Sequence, residues 1–113
     1  MHKIFVTGHI GADADFKQPS ENEVFIHFNL AHTKKWKDKQ TNEDKEVTTW
    51  YSVFKRYKTV PEKLLNHLRK GNKVLIMGEP SYKIDSYGQG QKVAISINAS
   101  ELHILTFDNS PGE

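Results

Sequence analysis

The sequence predicts an all-β domain: a small five-stranded Greek-key barrel, with one helix between the third and fourth strands and a protruding hairpin between the fourth and fifth. Three observations carry this. Residues 24 to 31, "VFIHFNLA", place Val24, Ile26, Phe28 and Leu30 on one face at strict period two, the mark of a half-buried strand. A single helical pattern with start and stop signals follows Thr59. In "KVAISINASELHIL", Val93, Ile95, Ile97 and Ala99 are in phase and Leu102 and Ile104 are one residue out, as expected for a bulge where a sheet curls into a barrel. At 113 residues the chain fits one domain. Such a chain buries roughly two-thirds of its unfolded surface, enough for one core without staples.

Taken in order, "KIFVTGHI" near the start is a short apolar run rich in branched residues, and it reads as the first strand. The second is 24 to 31, and the third is "VTTWYSVF", residues 47 to 54. Thr59 and Glu62 then have capping-box spacing, and Pro61 suits a first helical turn. Val60, Leu64, Leu65 and Leu68 form its apolar stripe, Arg69 and Lys70 suit the negative end of its dipole, and Gly71 is placed to stop it. "KVLIMG" at 73 to 78 is the fourth strand. The Gly-rich "PSYKIDSYGQGQ" leads by a hairpin into the fifth. This order matches the OB-fold, whose outer face binds oligonucleotides, although periodicity alone leaves other small barrels open. The barrel is expected over residues 1–106, with 107–113 a short tail.

Several function classes are excluded or disfavoured. Without cysteine there is no disulfide framework, thiolate metal site or cysteine nucleophile. "MHKIFVTGHIG" lacks an apolar run long enough for a signal peptide or a membrane span, so the protein is expected in the cytoplasm with the nucleoid and away from membranes. His9, Asp13, Asp15, His27 and His32 lack metal-ligand spacing. "GHIGADAD" lacks the strand and helix context of a cofactor loop. No enzyme, cofactor or metal is expected.

Charge is nearly balanced, 16 basic against 14 acidic residues, but its distribution is uneven. Between residues 34 and 58, Lys34, Lys35, Lys37, Lys39, Lys45, Lys55, Arg56 and Lys58 outnumber Asp38, Glu43, Asp44 and Glu46, and both tryptophans lie among them. A local basic stripe with interleaved aromatics can bind a polyanion even on a nearly neutral protein. In the third strand, Val47, Tyr51 and Val53 share one face and Trp50, Phe54 and Arg56 the other. Either Trp50 and Phe54 fill the core and Tyr51 lies outside, or they line an outer platform while Val47, Tyr51 and Val53 turn inward or meet a subunit. Trp36, at a strand end before a polar loop, has little core to fill. An indole among lysines there suits stacking on an unpaired base while ammonium groups follow the phosphates; the alternative is a ring folded back on a hydrophobic edge.

"FVTGHIGADADFK", "FNLAHTKKWKDKQTNEDKEVTTWYSV" and "HLRKGNKVLIMGE" resemble the bacterial single-stranded DNA-binding protein (SSB) family, in register from about residue 3 to 105. The resemblance implies an OB barrel, usually a homotetramer, that wraps single-stranded DNA without sequence preference during replication, recombination and repair. It implies base stacking by Trp36 and Trp50, backbone contacts by Lys39, Lys58 and Lys70, and a subunit contact at Tyr51. Where the family carries a third stacking aromatic this chain has Arg56, with Phe54 and Tyr57 as its neighbours. Where the family has a hairpin tryptophan there is Asp85, flanked by Tyr82, Lys83 and Tyr87. Typical members end in an acidic tip that recruits replication enzymes; here only Asp108 and Glu113 follow the barrel.

The expected partners are therefore single-stranded DNA and further copies of the chain, as a homotetramer or else a dimer, joined through Ile4, Val6, Tyr51 and Val53. The competing reading is a related OB-fold primosomal adaptor acting mainly through protein contacts.

Overall fold

Closure of the sheet rests on a two-residue seam. In the computed structural model, which describes residues 2–87 and 90–105 and only the backbone within 85–93, the chain forms β1 (Ile4–Ile10), β2 (Asp15–Ser20), β3 (Glu23–Lys37), β4 (Asp44–Tyr57), α1 (Glu62–Leu65), β5 (Lys73–Tyr87) and β6 (Gly90–Ile104). One edge of β1 pairs with β5 from Ile4↔Gly78 to His9↔Lys73. The other edge pairs with β3 only at His9↔Ala31 and Ile10↔Leu30. β5 pairs with β6, β6 runs parallel to β4 from Tyr51↔Ile95 to Phe54↔Asn98, and β4 pairs with β3. Five strands thus close into a barrel, as expected.

The sixth strand, β2, was not predicted. It lies outside the closed circuit, paired antiparallel with β3 through Asp15↔His27, Phe16↔Ile26 and Lys17↔Phe25. Every residue of it is exposed and it carries Pro19, so it has neither an apolar phase to reveal it nor the composition of a central strand. β3 and β4 also run well past the predicted limits. Their outer parts form an exposed two-stranded ribbon held by backbone pairing out to Lys37↔Asp44, and backbone pairing leaves no hydrophobic pattern.

The core contains Val6, Ile10, Ile26, Phe28, Leu30, Val53, Leu68, Val74, Ile76 and Ile97, all buried, with Ile4, Tyr51 and Tyr57 packed partly against it. One expectation is corrected here. Val6 and Val53 do not face a partner chain, because this chain's own barrel closes over them, leaving Val53 at 0% exposure. The predicted bulge is present. The pairing steps from Met77↔Glu101 to Gly78↔Ala99, leaving Ser100 over on β6, and its hydroxyl donates to the Met77 carbonyl at 3.2 Å.

The helix is shorter than its sequence signals suggest. It spans four residues, begins after Pro61 (φ −83°, ψ 78°), and has no side-chain cap, so the Thr59–Glu62 capping box does not form. Proline keeps the residue before it out of helical geometry, which removes Val60 from any first turn. The apolar stripe is nevertheless used, with Leu68 fully buried and Leu64 and Leu65 against the core. Gly71, expected to stop the helix, instead has φ +90° in a tight turn closed by Asn72 N–H donating to Arg69 C=O at 3.0 Å.

That turn is bolted to the end of β1. Gly71 N–H donates to Ile10 C=O at 2.8 Å and Ile10 N–H to Asn72 C=O at 3.0 Å. The Asp13 carboxylate accepts the Lys70 backbone N–H at 2.8 Å and the Arg69 guanidinium at 3.1 Å. These partners, the Lys70 N–H first, hold the Asp13 carboxyl below its ordinary 3.8. A lowered folded-state pKa means that the unfolded chain takes up the proton more readily. The bolt's contribution is therefore complete above 3.8 and is lost as pH falls below it. Melting temperature against pH should show an acid limb below that value that is shallower in Asp13→Asn; equal limbs would remove the bolt from the account.

Candidate nucleic-acid interface

Because β3 and β4 stay in unbroken register, the parity of each residue number sets its face. The phase of Val53 points inward. The opposite phase brings Trp50, Ser52, Phe54 and Arg56 of β4 onto one outer wall with Ala31, Asn29, His27 and Phe25 of β3. Ser96 and Asn98 of β6 continue it beside Ser52 and Phe54. Trp50 is 55% exposed and takes no part in the buried cluster, so of the two readings left open by the sequence, the outer platform is the one realised. Phe54 is half-buried, its ring tilted 30° against His27 with centroids 4.6 Å apart.

The Trp50 indole is seated on backbone. A Cβ placed on Gly11 would fall 2.6 Å from the far edge of the ring, so only glycine lets the indole lie there. Gly11 N–H donates to Asn29 C=O at 2.9 Å, fastening this support to β3. The residue before it, Ile10, is the one held by the 69–72 turn, which brings Lys70, exposed, to the same end of the barrel.

Trp36, 46% exposed, stands on the other side of the ribbon. It lies opposite Lys45, and Lys34 lies opposite Val47, on the phase that runs inward to Leu30 and Tyr51. Lys35 and Lys37 share the Trp50 side, where their cross-strand partners are Glu46 and Asp44. The stripe that reads as one basic run in sequence is thus split between two faces, and on the Trp50 face it is partly balanced by carboxylates. Lys45 also bonds Glu43 at 3.2 Å, and Lys39 is exposed in the connecting loop.

The remaining predicted residues divide. Arg56 reaches outward, its guanidinium 5.3 Å from the Phe25 ring centroid and its Nε 3.9 Å from Glu23. Lys55 and Tyr57 do not join it. They occupy the core-side phase, with the Lys55 ammonium 4.6 Å over the Tyr57 ring. Burial raises the Tyr57 pKa above 10.0. Tyr57 therefore does not replace the missing aromatic beside Arg56. Lys58 is exposed just past β4. Lys83 is on the Trp50 side of β5, whereas Tyr82, 59% exposed, is on the opposite side, paired with Ile95. The side chains of Asp85 and Tyr87, and the tail from 106 onward, lie outside the described residues.

Sequence reading missed Phe25, His27 and Lys17 on the platform and Phe5 on β1. The signal was present for two of them: each phenylalanine interrupts the polar phase of a strand whose other phase is buried. Of the four expected subunit-contact residues, Ile4 and Tyr51 remain half-buried and are available in part. Among the described residues there is no group of three or more metal-ligating side chains, and no helix is long and apolar enough to cross a membrane.

A shut five-stranded barrel with one indole on its outer wall, a second on the ribbon that extends from it, and basic side chains around both fits the OB-fold class of oligonucleotide-binding proteins. The sequence matches the single-strand binding protein family over residues 1–105, and the chain belongs to that family. The single-stranded DNA-binding protein of Rickettsia typhi is 31% identical over 97% of this chain and 76% of its own length. That of Rickettsia felis is 28% identical with the same coverage. Among solved structures, the Plasmodium falciparum SSB complex with single-stranded DNA has a TM-score of 0.69 at 27% identity, covering 94% of this chain and 96% of that one. The small single-stranded DNA-binding protein of Streptomyces coelicolor shares the fold at the same TM-score and 21% identity, over 91% and 94%. The adaptor alternative is not favoured by this membership.

Gly11→Ala should lift the Trp50 ring from its seat. With Trp36→Phe as background, acrylamide quenching of Trp50 emission should rise. The stability loss should stay near the low end of the roughly 1–3 kcal/mol typical of overpacking, because the ring's outer side is open. Unchanged quenching would mean that the ring does not depend on Gly11.

Proposed function

We propose that this chain binds single-stranded DNA without base preference by stacking bases on Trp50 and Trp36 and neutralising phosphates with the lysines around them. The carrying observation is that both indoles are half-exposed on a barrel whose core is complete without them. Duplex DNA hides its base faces, so two exposed rings among ammonium groups select an unpaired strand. Since the rings leave opposite sides of the β3–β4 ribbon, the strand passes around the ribbon rather than along one wall. The similar Plasmodium protein, solved with single-stranded DNA, supports the same reading. The chain is a binder and not a catalyst, protecting exposed strands in the cytoplasm during replication, recombination and repair.

We further propose that it works as a homo-oligomer, tetrameric as is usual in the family. Phe5 is 68% exposed, and it borders a hollow of about 250 Å³ with Thr7, His32, Tyr51 and Leu75. Among the described residues no β-strand pairs with the second edge of β1 from Ile4 to Val6, before the Thr7 carbonyl meets His32 Nδ1 at 2.9 Å, and an open edge beside apolar surface invites another copy. We therefore propose Phe5 and Tyr51 for the contact, since Val6 and Val53 are buried in this chain's own core. Light scattering should give a multiple of the 13.0 kDa chain mass, reduced by Phe5→Ser. A parent mass near one chain would rule the contact out.

Trp36→Ala and Trp50→Ala should each weaken oligothymidylate binding by about 1–3 kcal/mol. The melting point should be nearly kept for Trp36→Ala. A core tryptophan would instead lose about 3–5 kcal/mol of stability. Binding should also fall with salt, at a log–log slope of about −0.7 per phosphate contact. A flat salt response, or tighter binding to duplex, would count against the assignment.

A further inference from the structure

Beyond Ala31 the ribbon leaves the barrel, and a fork opens between β3 and β1. A hollow of about 570 Å³ fills it, and the titratable groups that line it are His9 of β1, His32 and Lys35 of β3, Glu46 of β4 and Lys73 of β5. Gly8 also borders it. A Cβ there would run into the Ala31 carbonyl oxygen, so glycine lets β1 come this close to β3. Register ties the hollow to the platform, because Lys73, His9, Ala31 and Trp50 form one row across β5, β1, β3 and β4. His9 stands two strands from Trp50, about 10 Å at roughly 4.8 Å per strand. With both imidazoles neutral, the hollow holds two lysines against one carboxylate, and each proton taken up adds a positive charge. His32 is engaged, its Nδ1 2.9 Å from the Thr7 carbonyl oxygen, whereas His9 is exposed. One strand farther on, past Leu75, stand His103 and Glu101, 4.0 Å apart.

We propose that this fork is a proton-dependent phosphate subsite: protonated His9 joins Lys35 and Lys73 around a phosphate of the strand whose base stacks on Trp50, and affinity for single strands rises as pH falls through the imidazole range. It rests on the single-strand reading above. That reading takes the strand around the ribbon, and on the β3 edge the way around lies through this fork. A phosphodiester is the anion that fits, because the cations border an open hollow on the same wall as an exposed ring. Glu46, paired with Lys35 farther out along the ribbon, keeps the phosphate toward His9. A neutral imidazole offers only an uncharged hydrogen bond, and the imidazolium adds charge to it. The bound phosphate in turn favours the proton, so the gain is present below the imidazole range and lost above it.

The test is oligothymidylate titration by indole fluorescence at about pH 5.5 and about pH 8, either side of the imidazole range, each over a series of salt concentrations. Thymine takes up no proton over that span, so any gain belongs to the protein. The parent should bind about 2- to 5-fold more tightly at the lower pH. Its log–log salt slope should be steeper there by about 0.7, the value of one phosphate contact. His9→Gln should lose both effects. His9→Lys should show the tighter binding and the steeper slope at both pH values, and His103→Gln should behave as the parent does. No acid gain in the parent, or one that survives in His9→Gln, overturns the subsite. So does an equal loss in His103→Gln, which would make the gain a property of overall charge. Thermal melts and light scattering accompany each titration. A parent mass that changes with pH, and no longer does so in His9→Gln, assigns the effect to assembly and also overturns the subsite. In each of these cases the parent still binds, and the single-strand reading stands. If the parent binds no oligomer at either pH, both fall.

Discussion

Closure of the barrel at the narrow seam between β1 and β3 is the constraint on which everything else depends. Once His9↔Ala31 and Ile10↔Leu30 are paired, the inside of the sheet is a finite volume. Val6, Ile26, Phe28, Leu30, Val53, Ile76 and Ile97 occupy it. Alternation then leaves no choice for their neighbours. Each residue between two inward ones must face out, and that rule puts Trp50, Phe54 and Phe25 on one wall although each is apolar enough to be buried.

Support for the wall comes from the same seam. The end of β1 carries Gly11, which seats the Trp50 ring, and Ile10, which receives the 69–72 turn clamped by Asp13. Trp50 therefore has one edge on rigid backbone and one face in solvent. On the proposed reading, a ring held in this way loses little freedom when a base stacks on it, and preorganisation of that kind raises affinity without adding contacts. Trp36, out on the two-stranded ribbon, has no such seat.

The electrostatics of the ribbon are gentler than its lysine count suggests. Glu46 and Asp44 stand across from Lys35 and Lys37, while the Trp36 side carries Lys34 and Lys45. Partial balance of this kind keeps the field short-ranged, so on the proposed reading stacking carries more of the binding than it would on a uniformly basic surface.

Much of this was determined by the sequence alone. The alternation of 24 to 31, the phase slip that became the bulge at Ser100, and the apolar stripe ending at Leu68 are local patterns, and local patterns survive in one dimension. The resemblance in three blocks was likewise enough for the family. Only the tertiary structure decided the rest. Whether Trp50 or Val53 faced inward turned on which phase of β4 met the other strands of the barrel. β2 has no apolar face and exists because β3 offers it an edge. Thr59 could not cap the helix because Pro61 bars Val60 from it. The pairing of Phe25 with Arg56, 31 residues apart in sequence, is a matter of register between strands. Register is set by how the barrel shuts, and no stretch of either strand contains it.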